Sequence, residues 1–179
     1  CKTFLAGSQV HVGAAIAFPL GQTTLEDKLS ETRNAIKNGA DEIDYVVNLT
    51  KLKAGDTAYI ESEMARITDI CREFSVVSKV IFENCYLTED EKKTLCHIAT
   101  KVKPDFIKTS TGFGTGGATF EDVALMKRET EGSGVKIKAA GGIRTLKTAL
   151  EMINLGVSRI GSTSSVAIME EYMANSPLL

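Results

Sequence analysis

The sequence predicts an α/β fold in which parallel strands are covered by helices. Three observations predict it. Six short, β-branched apolar runs recur about every 30 residues, stretches of helical period lie between them, and no Pro/Gly/Ser-rich linker interrupts the alternation. Parallel neighbours need a long crossover, so strict strand–helix alternation calls for a parallel sheet. Two architectures satisfy it: an open doubly wound sheet, or a closed (β/α)8 barrel, which takes eight units and roughly 250 residues. Six units in 179 residues make an open sheet or a barrel lacking its first two βα units. At roughly 150 residues per domain, residues 1–179 are expected to form a single domain.

The strands are expected at residues 12–18, 42–48, 76–83, 106–110, 135–140 and 158–162. Between them, Leu25, Leu29, Thr32 and Ile36 share a helical stripe, as do Ile60, Met64, Ile67, Cys71 and Phe74, and Leu95, Ile98, Ala99 and Val102. Each stripe is read as the face that packs on the sheet. Thr88 and Glu91 have capping-box spacing, and Thr24, Asp56, Thr119 and Thr145 are placed to cap helices. Gly39 and Gly156 stand where helices should end, and Tyr172 is expected on the last helix.

Composition narrows the function. Twenty-one basic and 23 acidic side chains give a net charge of −2, which excludes a strongly basic nucleic-acid binder. The charge is uneven: residues 1–100 carry 11 basic and 15 acidic groups, residues 101–179 carry 10 and 8. The C-terminal half is thus the better place for a small anion. Cys1, Cys71, Cys85 and Cys96 form no C-x-x-C pair, and His11 and His97 are far apart, so no metal site is expected. No apolar run approaches the roughly 18 residues of a membrane helix, and no secretory h-region is present. A cytoplasmic chain with reduced thiols and no membrane or nucleic-acid partner is expected.

In either architecture ligands bind at the carboxyl ends of the strands. Lys108 ends an apolar strand and shares a face with Phe106; a lysine on a doubly covered strand is costly unless paired or functional. The glycine-rich run that follows, from Gly112 to Gly117, can turn backbone N–H groups toward an anion or serve as a lid. Lys136 and Lys138 share a face of the next strand, and spacing alone does not choose between them. Gly141 and Gly142 then open a helix, where the dipole favours anions. Ser162, Thr163, Ser164 and Ser165 precede the last helix, as a phosphate site or as simple N-caps. Loops after the last two strands form the recurring phosphate site of (β/α)8 barrels, so the two together are more specific than either. Asp44 lies inside an apolar strand, either catalytic or in a structural ion pair, and Lys79 and Glu83 are expected to share a face of the third strand.

Several ionisable groups in one apolar interior suggest Schiff-base chemistry. A lysine attacks a carbonyl when its amine is neutral, a second ammonium nearby lowers its pKa, and an aspartate can relay protons.

Phe106-Ile107-Lys108-Thr109-Ser110-Thr111-Gly112, Lys138-Ala139-Ala140-Gly141-Gly142-Ile143-Arg144-Thr145, Glu42-Ile43-Asp44 and Phe18-Pro19-Leu20-Gly21 together resemble the deoxyribose-phosphate aldolase family of class I aldolases. The resemblance runs from about Val12 to about Ile168. It implies a TIM (β/α)8 barrel, here without its first two units, that reversibly cleaves 2-deoxy-D-ribose 5-phosphate to glyceraldehyde 3-phosphate and acetaldehyde without a cofactor. It implies Lys108 as the Schiff-base nucleophile, Lys138 as the lysine that perturbs it, and Asp44 as the proton relay. Gly112, Gly141, Gly142, Arg144, Gly161, Thr163 and Ser164 match the phosphate-binding set, while Thr111, Lys79 and Glu83 are further site candidates. The expected partner is a small phosphorylated sugar, with a homo-oligomer possible. The alternatives are a truncated, catalytically impaired barrel and another phosphosugar-binding barrel enzyme.

Overall fold

The computed structural model describes residues 1–175. Six strands alternate with helices: β1 (Gly13–Ile16), β2 (Glu42–Val46), β3 (Val77–Ile81), β4 (Phe106–Lys108), β5 (Lys136–Ala140) and β6 (Arg159–Gly161). The helices are α1 (Leu25–Lys37), α2 (Leu49–Lys53), α3 (Thr57–Glu73), α4 (Glu89–Val102), α5 (Phe120–Glu129), α6 (Leu146–Asn154) and α7 (Ser165–Asn175). All neighbouring strands are parallel and lie in chain order, β1 to β6. A doubly wound sheet would reverse its strand order at a switch point; this one never does, so it is a singly wound arc of the barrel type.

The caps form as the sequence dictates. Thr24, Asp56, Thr88, Thr119 and Thr145 each accept a backbone N–H three residues on, and Glu91 closes a capping box with Thr88. Gly39 and Gly156 follow the ends of α1 and α6 with φ of 93° and 98°, the left-handed conformation that suits glycine there.

The core lies between sheet and helices. Ile43, Tyr45 and Val47 of the second unit, with Val80, Phe82, Ile107 and Ala139, meet Ile60, Met64, Ile67, Leu95, Val123 and Met126. Inside this layer Lys28 of α1 and Glu63 of α3 form an ion pair at 2.7 Å, both side chains fully buried. Lys28 also donates to the Val46 carbonyl at 2.8 Å, and Glu63 accepts the Asn48 N–H at 3.0 Å. The pair thus satisfies backbone groups where β2 leaves the sheet.

Three expectations need correction. The strands are shorter than their apolar runs: Val47, Phe82, Thr109 and Ser110 are inaccessible but lie past the strand ends, the first three each still donating one N–H to the neighbouring strand. Phe74 does not extend the α3 stripe; it caps the helix and is half exposed. Glu83 does not share the strand face of Lys79, because β3 ends at Ile81 and Glu83 takes a left-handed backbone with φ 57°. Tyr172 lies on α7 as expected, and α2, a single short turn of helix after β2, has no counterpart among the sequence's apolar stripes. Among the described residues no helix is long and apolar enough to cross a membrane.

Candidate active site

Alternation along each strand sends one residue in two toward the helices and the other into the arc. The outer face is mostly apolar, with Ile43, Tyr45, Val80, Ile107 and Ala139. The inner face carries, beside apolar residues such as Phe106 and Ile81, a set of charges: Glu42 and Asp44 on β2, Lys79 on β3, Lys108 on β4, Lys138 on β5 and Arg159 on β6.

Asp44 is the hub. It is buried, and its Oδ2 accepts from Lys108 Nζ and Lys138 Nζ, each at 2.8 Å. Sharing one oxygen, the two nitrogens can be no further apart than twice that distance. Asp44 Oδ1 accepts from Lys79, which also meets Glu42 Oε2 at 2.6 Å. Glu42 in turn accepts from Arg159, and its Oε1 lies 2.8 Å from His11 Nδ1. Four cations therefore face two carboxylates, leaving a formal excess of positive charge that only a neutral amine or a bound anion relieves.

The pKa shifts follow from this crowding. Burial alone would raise the Asp44 carboxyl, but Lys108, Lys79 and Lys138 outweigh it and hold the group well below the usual carboxylate range. Burial lowers the Lys138 ammonium; Asp44 pulls against this, and the Lys108 and Lys79 charges add to the lowering. Glu42, although burial opposes ionisation, is lowered to about 2 by Arg159, Lys79 and His11.

Above the hub a cavity of about 410 Å³ opens at the carboxyl ends of the strands. Of the residues singled out from the sequence, Lys108, Thr111, Gly112, Lys138, Gly141, Gly142, Arg144, Gly161 and Thr163 line it, with Ala140, Ile143 and Ser162 completing the wall. The glycines have separate reasons. The glycine-rich loop docks through the Ala118 N–H onto the Ala140 and Gly141 carbonyls, and a Cβ on Gly117 would sit 2.3 Å from the Gly141 oxygen. A Cβ on Gly161 would press on Ala140 and on Cε of Lys138, so this glycine leaves room for the lysine.

Three candidates stand elsewhere. Ser164 is absent from the wall; its N–H donates to Ser162 Oγ at 2.9 Å. Glu83 is buried beneath the glycine-rich loop, taking the Thr111 hydroxyl and accepting the Thr111 N–H at 3.1 Å. Lys79 lies under Asp44 rather than at the opening. The choice between Lys136 and Lys138 is one of depth: Lys136, at the start of β5, places its ammonium 5.7 Å from the Phe106 ring, and Lys138 reaches Asp44.

Sequence reasoning assigned no role to Glu42 or Arg159, and left Ser162 between a phosphate site and an N-cap. Glu42 carried a usable signal, lying one pleat period before Asp44. Ser162 Oγ donates to the Ile143 carbonyl at 2.6 Å and joins the two loops that flank the cavity. Among the described residues no cluster of His, Cys, Asp and Glu could hold a metal ion.

Comparison with known proteins agrees with this geometry. The family model described as DeoC/LacD family aldolase matches residues 5–163. The chain is 57% identical over 170 residues to the deoxyribose-phosphate aldolase of Lactobacillus acidophilus, covering 95% of this chain and 71% of that protein. Among solved structures, "QR15, an Aldolase" superposes with a TM-score of 0.88 at 40% identity, over 94% of this chain and 75% of that one. A deoxyribose phosphate aldolase from Aeropyrum pernix, described as a unique tetrameric structure, gives a TM-score of 0.88 at 28% identity, over 98% and 73%. With a family match over most of its length and a curated relative at this identity, the chain belongs to the DeoC/LacD family of aldolases.

Proposed function

We propose that this chain acts as a deoxyribose-phosphate aldolase that works through a Schiff base on Lys108. One observation carries the reading: two lysine nitrogens converge on a single oxygen of a buried aspartate, directly beneath a cavity walled by glycine backbone and Arg144.

The neutral Lys108 amine adds to the C1 aldehyde of open-chain 2-deoxy-D-ribose 5-phosphate, and loss of water gives a protonated imine. The C3 hydroxyl yields its proton to Asp44, through Lys138 or a water. The C2–C3 bond then breaks, its electron pair moves toward the imine nitrogen, and C3 leaves as the aldehyde of glyceraldehyde 3-phosphate. The enamine takes a proton at C2, and water releases acetaldehyde and regenerates the amine. Asp44 remains ionised throughout the neutral range, so it can accept and return the proton. Lys138, with its lowered pKa, can pass a proton on and adds positive charge beside the nucleophile.

Gly112, Gly141, Gly142, Arg144, Gly161 and Thr163 would take the phosphate, with Arg144 supplying charge and the loops supplying N–H donors. Ser164, whose N–H is taken by Ser162 Oγ, would support this set by holding its loop in shape, as Thr111, held by Glu83, does for the glycine-rich loop. All six βα units contribute to the site or its support, which favours one domain over residues 1–179. Self-association accords with the tetramer described for the Aeropyrum pernix relative.

The direct test is release of glyceraldehyde 3-phosphate from 2-deoxy-D-ribose 5-phosphate by the purified chain. The reading expects turnover that Lys108→Arg abolishes, since a guanidinium cannot form the imine. No release above that variant's background would contradict it and favour an impaired barrel.

A further inference from the structure

Among the described residues the ladder runs from β1 to β6, and β6 does not pair with β1. Lys138 on β5 must nevertheless reach Asp44 on β2 across the interior. Among the described residues β5 is connected to β2 along the sheet through the ladders of β3 and β4, so small changes in twist at each step would accumulate in the gap between them.

Two side-chain ties cross that gap, and they lie side by side. Lys138 and Arg159 are register partners on β5 and β6, and Glu42 and Asp44 are one pleat period apart on β2. Lys138 meets Asp44, and Arg159 meets Glu42. The first tie must loosen during the proposed chemistry, because its lysine and carboxylate exchange protons. The second is free of that duty. Its geometry is also fixed from the side: the Arg159 guanidinium lies 5.0 Å from the centre of the Phe106 ring, on the strand that carries Lys108. Glu42 keeps Lys79 and His11 as partners, so it is anchored whether or not Arg159 is present.

We propose that Arg159 and Glu42 form a spoke across the interior of the arc that holds β5 and β6 against β2, and so sets the approach of Lys138 to Asp44. Both are positioning residues. The proposal rests on the aldolase reading, which gives Lys138 and Asp44 their roles.

The test is a double-mutant cycle read by the rate at which sodium borohydride traps acetaldehyde on Lys108, located by peptide mass mapping. Arg159→Met is chosen because Glu42 stays paired and no buried charge is orphaned. Arg159→Gln serves if the methionine variant does not fold, and circular dichroism checks each protein. A misplaced catalytic group costs about 10-fold to 100-fold, so Arg159→Met should slow trapping by at least about tenfold. Arg159→Lys, which keeps a cation in reach, should restore most of the rate.

In a Lys138→Leu background the same change should cost less than about twofold, because groups acting through one another are not additive. Trapping at the unsubstituted rate in both Arg159→Met and Arg159→Gln would overturn the spoke. So would equal slowing in both backgrounds, the mark of a merely structural role. Absence of any Lys108 adduct in the unsubstituted chain would overturn the aldolase reading and the spoke's catalytic purpose with it. An adduct that forms normally in every Arg159 variant would overturn the spoke alone.

Discussion

The two faces of β2 are built from alternate residues of one five-residue strand, Glu42–Val46, and they do opposite things. Ile43 and Tyr45 point into the helix layer, with Ile60, Met64 and Ile67 in the same core. Glu42 and Asp44 point into the arc and gather Lys79, Lys108, Lys138 and Arg159. The outer layer holds a buried ion pair too, Lys28–Glu63, but that one is balanced, with one charge of each sign and backbone partners besides. The inner cluster carries more cations than anions. A balanced buried pair is a structural tie; an unbalanced cluster is held for a reaction or a ligand.

Five substitutions break or sharpen that contrast. The largest effect belongs to the inner face: Lys108→Arg should cut turnover by about 10³-fold or more while leaving the thermal unfolding curve nearly unchanged, as measured by steady-state kinetics and calorimetry. On the outer face the order of effects reverses. Lys28→Met leaves Glu63 charged and unpaired and should cost about 3–5 kcal/mol in urea unfolding. Replacing Glu63 by Leu in the same chain should recover most of that, while Asp44 has no such apolar rescue. Ile43→Ala, at a position with no solvent exposure, should cost about 2–5 kcal/mol with turnover per folded molecule retained. Thr88→Ala removes the capping-box hydroxyl, far from both faces, and should cost about 1 kcal/mol in the same unfolding measurement.

Acid titration separates the regions as well. The Asp44 and Glu42 carboxyls have depressed pKa values in the folded chain, Glu42 to about 2 against an ordinary 4.5. Their contribution to stability is therefore complete above the ordinary value and lost as pH falls toward the folded one. Glu63 is shifted the other way, upward by burial despite Lys28, so it gains no stability from ionising. Glu42→Gln should flatten the fall in melting temperature between about pH 4.5 and 2.

The features legible in the sequence are those written locally. Six strands, five threonine or aspartate caps and the lysine-bearing strand ends follow from period, spacing and side-chain chemistry within a few residues. The hidden features depend on distance or on backbone direction. Lys28 and Glu63 sit on different helices, and Arg159 and Glu42 are 117 residues apart, so no local pattern marks either pair. Glu83 was read by strand alternation, which fails once its backbone turns left-handed; its carboxylate then serves Thr111 instead of the hub. Ser164 matches the phosphate-binding set through the family resemblance, yet its N–H is taken by Ser162.

The proposed chemistry turns on which amine condenses with an aldehyde. Acetaldehyde and sodium borohydride, followed by mass mapping of the purified chain, should place a single two-carbon adduct on Lys108, weakened by Asp44→Asn. A reduced adduct on Lys138 or Lys79 instead, or none at all, would contradict it.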